Sequence, residues 1–141
     1  MTYRITRSHE IHCGHRVYKH ESKCAHLHGH SYVFDFTCEG ALDAVGRVLD
    51  FSAVKERLCA WLETNWDHRF LIFDQDPLGM HLLDIDYTVV RVPFNPTAEN
   101  IAAYMVEMIG PLALAGTGVR LVACTVHETS KCSATYAISG E

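Results

Sequence analysis

The 141-residue sequence lacks several features that would assign it to a class of protein. No stretch approaches the roughly 20 consecutive apolar residues of a membrane-spanning helix, and the segment from Met1 to Arg7 has no apolar core of signal-peptide length. Acidic residues outnumber basic ones by 17 to 12, and a formal charge of -5 argues against binding to a phosphate backbone. We therefore expect a cytoplasmic protein that binds neither membranes nor nucleic acid.

Paired cysteines are also missing. The six cysteines lie at positions 13, 24, 38, 59, 124 and 132, and no two of them form a Cys-x-x-Cys motif. This scatter argues against a disulfide framework, so we interpret most of them as small buried hydrophobic residues. Histidine, in contrast, is abundant, since the chain has 10 and seven of them precede residue 31. The first thirty residues therefore carry most of the groups that could bind a metal.

Strands are predicted wherever apolar and polar residues alternate. From Ser31 to Glu39, the residues Tyr32, Phe34 and Phe36 alternate with polar or smaller neighbours, and we interpret these three aromatic side chains as core. Similar patterns predict four long strands and one shorter candidate, at residues 2–13, 31–39, 119–128, 132–139 and 87–92. We expect the last two long strands to form a hairpin.

Two amphipathic helices are predicted between the second and third long strands. The first begins at Asp50 or Ser52 and the second at Asn95 or Thr97, because these side-chain oxygens can cap free amide groups. The apolar stripe of the second helix consists of Ile101, Tyr104, Met105 and Met108. Two helices on one face of an antiparallel sheet are typical of an α+β fold, and we expect residues 1–141 to form a single domain.

The segment from Cys24 to His30 concentrates a thiol and three imidazoles in seven residues. Side chains alternate along a strand, so His28 and His30 point to the same face and form half of a metal site, for which zinc is the usual ion. The best candidate for a third ligand is His15, at the end of the first strand, with His12 and His26 as competitors. Cys24 is either a fourth ligand or a reactive thiol beside the metal.

These residues resemble the zinc motif of the 6-pyruvoyl-tetrahydropterin synthase family, in which a cysteine precedes a His-Gly-His segment. The segments Asp67-His68, Asn95-Pro-Thr-Ala-Glu99 and His127-Glu128-Thr129 follow in the same order as in that family. The three-residue interval between Cys24 and His28 resembles the bacterial 6-carboxy-tetrahydropterin synthase branch, since the pyruvoyl-forming branch has a longer interval. The resemblance covers essentially the whole chain.

The resemblance implies a tunnelling fold (T-fold), a four-stranded antiparallel sheet with two helices on one face. It implies homo-oligomeric rings, a hexamer, with active sites between subunits. It also implies zinc-dependent conversion of 7,8-dihydroneopterin triphosphate to 6-carboxy-5,6,7,8-tetrahydropterin, with release of acetaldehyde and triphosphate, on the way to queuosine. The implied roles are zinc binding by His15, His28 and His30, proton removal by Cys24, a relay by Asp67 and His68, pterin binding by Glu128, and a possible substrate contact by Thr97.

Two alternatives remain open at this stage. The chain could retain the substrate side chain, as in 6-pyruvoyl-tetrahydropterin synthesis, or it could be a non-catalytic zinc-binding module in which Cys24 closes a structural site. The sequence also departs from the family pattern at Ile11-His12-Cys13-Gly14, which adds His12 and Cys13 as possible ligands. These departures leave the zinc and catalytic positions intact and put the substrate preference in question.

Overall fold

A computed structural model describes residues 2–138 and places all the strands in one six-stranded sheet. In chain order, the strands β1 to β6 are Tyr3–His15, His28–Gly40, Phe70–Phe73, Val90–Val92, Arg120–His127 and Ser133–Ala137. Their order across the sheet is β4-β3-β1-β2-β5-β6. The four long strands β1, β2, β5 and β6 form antiparallel pairs, as the sequence predicts.

Three helices complete the fold. Helix α1 covers residues 51–65 and consists of α-helical turns at Phe51–Val54 and Ala60–Asn65 around a π-helical turn at Lys55–Cys59. Helix α2 is Leu78–Ile85. Helix α3 covers residues 98–113, with a π-helical turn at Met105–Ile109 between α-helical turns at Ala98–Tyr104 and Gly110–Ala113. None of the helices within residues 2–138 is long and apolar enough to cross a membrane.

Both predicted helix caps are confirmed. The carboxylate of Asp50 accepts a hydrogen bond from the backbone N–H of Ser52 at 2.9 Å. The hydroxyl of Thr97 accepts one from the backbone N–H of Asn100 at 3.1 Å. Each bond satisfies an amide group that the first helical turn leaves free, which explains why the two helices begin where the sequence predicts.

The α+β class is confirmed, but the expected strand count of four is too low. Strands β3 and β4 pair in parallel with β1 and with each other at one edge of the sheet. They are only four and three residues long. Strand β3 is too short to show alternation and was not predicted, whereas β4 forms the last three residues of the strand predicted at 87–92. Helix α2 was also not predicted from the sequence.

One face of the sheet, called here the inner face, packs with α1 and α3 around a single hydrophobic core. Tyr32, Phe34 and Phe36 are fully buried there, as predicted. Met108 is 58% exposed, contrary to the predicted stripe, and Ile109 is buried instead. The π-helical turn lengthens the local repeat, so the buried positions of α3 follow a four-residue spacing through Met105 to Ile109.

Candidate metal centre

Three histidines meet on the inner face at one end of the sheet. His15 pairs directly with His28 across β1 and β2, and His30 lies two residues farther along β2 on the same face. The ring centroid of His15 lies 4.6 Å from that of His28 and 5.2 Å from that of His30. One ring nitrogen of each histidine lies within 4.8 Å of the others, so the group could hold a metal ion. The strand register therefore joins the three residues that the sequence grouped.

Backbone carbonyl groups orient two of these rings. The Nδ1 atom of His15 lies 2.6 Å from the carbonyl oxygen of Pro96, and Nδ1 of His28 lies 2.7 Å from that of His26. Because a carbonyl oxygen only accepts hydrogen bonds, Nδ1 of each ring must carry the hydrogen. The lone pair is then on Nε2, which is the tautomer that a metal ion requires when the other nitrogen is held by a carbonyl.

The Nε2 atoms of His15 and His30 are buried and have no hydrogen-bond partner. Burial, together with a smaller effect of the neighbouring imidazoles, lowers the pKa of His15 to about 4, although the bond to Pro96 opposes this shift. Burial also lowers the pKa of His30. Both rings are therefore neutral near pH 7, and two unpartnered lone pairs point into one small space. This donor set fits a divalent cation that prefers imidazole ligands.

A carboxylate lies beside these lone pairs. Oε2 of Glu128 is 3.0 Å from Nε2 of His30 and 3.6 Å from Nε2 of His15. Neither contact has hydrogen-bond geometry, so the nitrogens stay unpartnered although the carboxylate is close. Glu128 follows Val126, a buried inner-face residue of β5, by two positions, which directs its side chain to the same face. Glu128 thus contacts the histidines of its own chain.

Cys24 lies in the loop between β1 and β2, on a single 3₁₀ turn at Lys23–Ala25. Its side chain is half-buried, and its sulphur is not among the ligand atoms that cluster with the three histidines. The carbonyl oxygen of Cys24 accepts a hydrogen bond from the backbone N–H of Val17 at 2.7 Å. The loop that carries Cys24 is therefore tied to Val17, two residues after His15, and Cys24 is not part of the group of three histidines.

Two side-chain contacts that the sequence did not predict hold this loop. Arg16 donates two hydrogen bonds to the fully buried carboxylate of Asp76, at 2.6 and 2.8 Å. Asn95 pairs with the backbone of Tyr18, since its Oδ1 accepts from the N–H at 2.8 Å and its Nδ2 donates to the carbonyl at 2.9 Å. Asn95 and Pro96 together thus fix both the loop that carries Cys24 and the ring of His15. Asn-Pro in the sequence indicates a helix start. No local pattern indicates that these two residues also hold the Cys24 loop and the ring of His15.

Asp67 and His68 lie together but apart from the metal centre. Nδ1 of His68 is 2.9 Å from Oδ2 of Asp67, and Oδ1 of Asp67 accepts the backbone N–H of His12 at 2.9 Å. Partial burial opposes ionisation, but the bonds from His12 and His68 outweigh it and lower the pKa of Asp67. His12 alternates with Cys13 and therefore faces the outer side of the sheet, opposite the metal centre. We call His12, Asp67 and His68 the outer cluster.

The outer cluster borders a cavity of about 520 Å³. Two glycines, Gly14 and Gly29, pair across β1 and β2 in the wall of this cavity. A Cβ atom at Gly14 would lie 2.6 Å from the ring of Phe70, and one at Gly29 would lie 3.0 Å from a backbone carbonyl oxygen. Only glycine fits at these positions, so the strands approach closely and leave an open space on the outer side of the histidine pair.

The other candidate ligands do not join the metal centre. His12 faces the outer side, and His26 contributes only its backbone carbonyl. Cys13 shares the inner face, but burial raises the pKa of its thiol to about 12, with a further contribution from Asp67. Thr97 caps α3, and its predicted contact with substrate stays a prediction. The unusual Ile11–Gly14 segment therefore leaves the group of three histidines unchanged.

Comparisons with known proteins identify the family of this chain. The family described as 6-pyruvoyl tetrahydropterin synthase matches residues 4–139. A relative from Rickettsia typhi, named 6-carboxy-5,6,7,8-tetrahydropterin synthase, is 33% identical over 133 residues, which cover 92% of this chain and 96% of the relative. One of the same name from Aquifex aeolicus is 31% identical over 160 residues, covering 96% and 98%.

A solved structure of 6-pyruvoyl tetrahydropterin synthase from Caenorhabditis elegans superposes with a TM-score of 0.70. It is 24% identical and covers 99% of this chain and 97% of that one. At this identity the likeness shows the fold alone. The T-fold expected from the sequence is confirmed, with two short strands added at one edge of the sheet.

Proposed function

Since the chain belongs to the 6-pyruvoyl tetrahydropterin synthase family, we propose that it is a zinc-dependent lyase that makes 6-carboxy-5,6,7,8-tetrahydropterin. Its substrate would be 7,8-dihydroneopterin triphosphate, and acetaldehyde and triphosphate would be released, in a step toward 7-deazaguanine nucleosides such as queuosine. The observation that carries this proposal is the group of three imidazoles, two of which have a buried Nε2 atom without a hydrogen-bond partner. The names of the curated relatives support the carboxy-forming reaction.

Zn²⁺ would be held by His15, His28 and His30. When bound there, it would supply a Lewis acid that polarises the hydroxyl oxygens of the substrate side chain and makes the adjacent C–H more acidic. The protein's own contribution is orientation, because Pro96 and His26 hold two of the rings in the ligating tautomer before any ion arrives. Three protein ligands leave a position for the substrate, as in catalytic zinc sites.

Cys24 would remove the proton from the substrate side chain. A base must approach the reacting carbon without occupying the metal, and the Cys24 sulphur lies outside the group of ligand atoms. The contacts of Arg16 and Asn95 limit the freedom of the loop that carries it. A thiol that is fixed in place needs little reorganisation to reach the proton, and this positioning contributes to the rate.

Asp67 and His68 would serve the metal centre of a neighbouring subunit. Within one chain the outer cluster lies across the sheet from the three histidines, so its imidazole faces away from the local substrate. We propose a homo-oligomer, a hexamer by family resemblance, in which the outer cluster of one subunit completes the site of the next. The assembly would also cover the free edges of the sheet at β4 and β6.

Glu128 would bind the pterin ring. An ionised carboxylate can accept two hydrogen bonds from an amino group and the adjacent ring N–H, which is the donor pattern of a pterin. Its carboxylate lies 3.0 Å from Nε2 of His30 of the same chain, which supports a pterin contact at that chain's own metal centre. The pterin would then extend from Glu128 and present its side chain to the metal and to Cys24.

The proposal is tested by product analysis. The zinc-loaded protein is incubated with 7,8-dihydroneopterin triphosphate, and acetaldehyde, triphosphate and pterin products are measured by derivatisation and mass spectrometry. We expect acetaldehyde and 6-carboxy-5,6,7,8-tetrahydropterin in equal amounts. Release of triphosphate with a pyruvoyl product would replace this function by that of the pyruvoyl-forming branch, and no turnover at full zinc loading would overturn the enzymatic proposal.

A further inference from the structure

Buried polar atoms without a partner occur at a single place within residues 2–138. Three side-chain nitrogen or oxygen atoms are buried there and lack a hydrogen bond, namely Nε2 of His15, Nε2 of His30 and the hydroxyl oxygen of Tyr32. The ring of Tyr32 packs edge-on against both imidazoles, with centroids 5.7 Å from His15 and 5.4 Å from His30. The two nitrogens are accounted for by a metal ion. The hydroxyl is not.

The position of Tyr32 does not by itself require a hydroxyl group. The inner face of β2 continues with Phe34 and Phe36, which are equally buried and belong to the same core. A phenyl ring at position 32 would continue this row and would avoid the unfavourable burial of an unpartnered hydroxyl. A buried hydroxyl without a partner indicates a ligand contact when it borders a binding site, because the bound ligand can accept its hydrogen bond.

The neighbours of the Tyr32 ring belong to the proposed site. The ring of Tyr32 contacts the imidazoles of His15 and His30. Glu128, the proposed pterin ligand, lies against the same two imidazoles, with Oε2 3.0 Å from Nε2 of His30. A phenol O–H can donate a hydrogen bond, so Tyr32 brings an unused donor to the group of histidines at which the substrate would be held.

We infer that Tyr32 is a further substrate-binding residue, whose hydroxyl donates a hydrogen bond to an oxygen of the substrate side chain. This inference rests on the proposed function. The oxygen concerned is the one that gains negative charge when Cys24 removes the neighbouring proton. A donor that is already in place and shielded from water stabilises such charge more in the transition state than in the bound substrate. Tyr32 would therefore act mainly on kcat.

The inference is tested with Tyr32→Phe, which removes only the hydroxyl. We expect kcat to fall by about 10²-fold with KM nearly unchanged, as for the loss of one donor to a developing oxyanion. Zinc content should stay the same as in the wild type, because the three histidines are untouched. A second readout is the Tm of the metal-free protein, which should stay the same or rise, because the lost hydroxyl has no partner there.

Tyr136→Phe is the matched control. The hydroxyl of Tyr136 on β6 bonds to the side chain of Glu107, away from the metal centre. Its loss should lower Tm by about 2–4 °C and leave kcat unchanged. If Tyr32→Phe instead lowers Tm as this control does, the hydroxyl already has a partner, and the inference is wrong.

The remaining outcomes separate this inference from the proposed function. An inactive wild type at full zinc loading would overturn the proposed function itself. An active wild type with an equally active Tyr32→Phe variant would overturn only the inference about Tyr32. An active wild type with a slow, zinc-replete and stable Tyr32→Phe variant would support both.

Discussion

The metal centre and the outer cluster are both rich in histidine, yet their chemical states differ. His15 is 1% exposed and its Nε2 atom has no partner, whereas the His68 side chain is 76% exposed and bonds to Asp67. His12 of the outer cluster and His15 of the metal centre are only three residues apart on β1, but they lie on opposite faces of the sheet. A buried imidazole nitrogen without a hydrogen-bond partner is available to bind a cation. An exposed imidazole that is hydrogen-bonded to a carboxylate can instead act as an acid or a base.

The strongest test of this difference is the loss of one imidazole from the metal centre. His28→Ala should release zinc on dialysis and lower turnover by more than about 10³-fold, because two histidines no longer hold the ion. His26→Ala is the control, since His26 contributes only its backbone carbonyl. Zinc content by mass spectrometry checks the result. A His28→Ala variant that retains one zinc per subunit would contradict the assignment of ligands.

The outer cluster should affect turnover without affecting the metal. Asp67→Asn should lower kcat by roughly 10²-fold and leave zinc content unchanged, because it removes the negative charge that orients and stabilises His68. Asp84→Asn, at an exposed position in α2, is the control. Loss of zinc together with turnover would show that the two regions are not separate.

Subunit mixing sharpens this second prediction. His28→Ala and Asp67→Asn chains are unfolded and refolded together, and the activity of the mixture is measured. If the outer cluster serves a neighbouring subunit, random assembly should restore about a quarter of the sites. An inactive mixture would place both groups in the site of one chain and contradict the proposal of shared sites.

The buried imidazole of His15 should make the metal-free protein less stable in acid. The pKa of His15 is about 4 in the folded chain, against the ordinary value of 6.5 for a histidine exposed to water, so the unfolded chain binds more protons between these values. Stability should therefore fall as the pH drops from 6.5 to 4, by about 3 kcal/mol from His15, and should be independent of this group above that window. Denaturant unfolding at a series of pH values checks this. The slope should decrease in His15→Gln and persist in His12→Gln of the outer cluster.

The smallest effect is expected from the loop between β1 and β2 that carries Cys24. Asn95→Ala should lower kcat by about 10-fold, because the backbone of Tyr18 loses both bonds that hold the Cys24 loop, while zinc content is unchanged. In a Cys132→Ser background, which removes the exposed cysteine, alkylation of Cys24 should become faster. Asn65→Ala, which removes a bond to the Trp61 carbonyl within α1, should change neither quantity. A normal kcat with fast alkylation would show that loop order does not limit the reaction.

Local patterns were sufficient for the long strands and for the group of histidines that could hold a metal. The alternation along β2 predicted both its buried aromatic residues and the common face of His28 and His30. The side chains of Asp50 and Thr97 predicted the helix starts. The same patterns were insufficient for β3, which is too short for a repeat to be visible, and for Met108, where a π-helical turn changes the repeat itself.

The role of Tyr32 shows where such reasoning ends. Its place in an alternating strand correctly predicted burial, but nothing in the pattern shows whether a buried hydroxyl has a partner. The same is true of His12, which was a competing ligand in the sequence and belongs to the outer cluster in the structure. The missing partner of the Tyr32 hydroxyl and the location of His12 both depend on strand register and on the residues of neighbouring elements. The sequence of a single strand does not specify either of these.

The sequence by itself determined the α+β class, the starts of the two long helices and the set of histidines that could bind a metal. These features arise from periodicities of two to four residues and from capping side chains close to their targets. Only the tertiary structure decided the tautomer of His15, the anchoring of the Cys24 loop and the separation of the outer cluster from the metal centre. These depend on contacts such as His15–Pro96 and Arg16–Asp76, between residues that are 81 and 60 positions apart. Contacts at that distance along the chain leave no periodic signal, so they become visible only in the folded molecule.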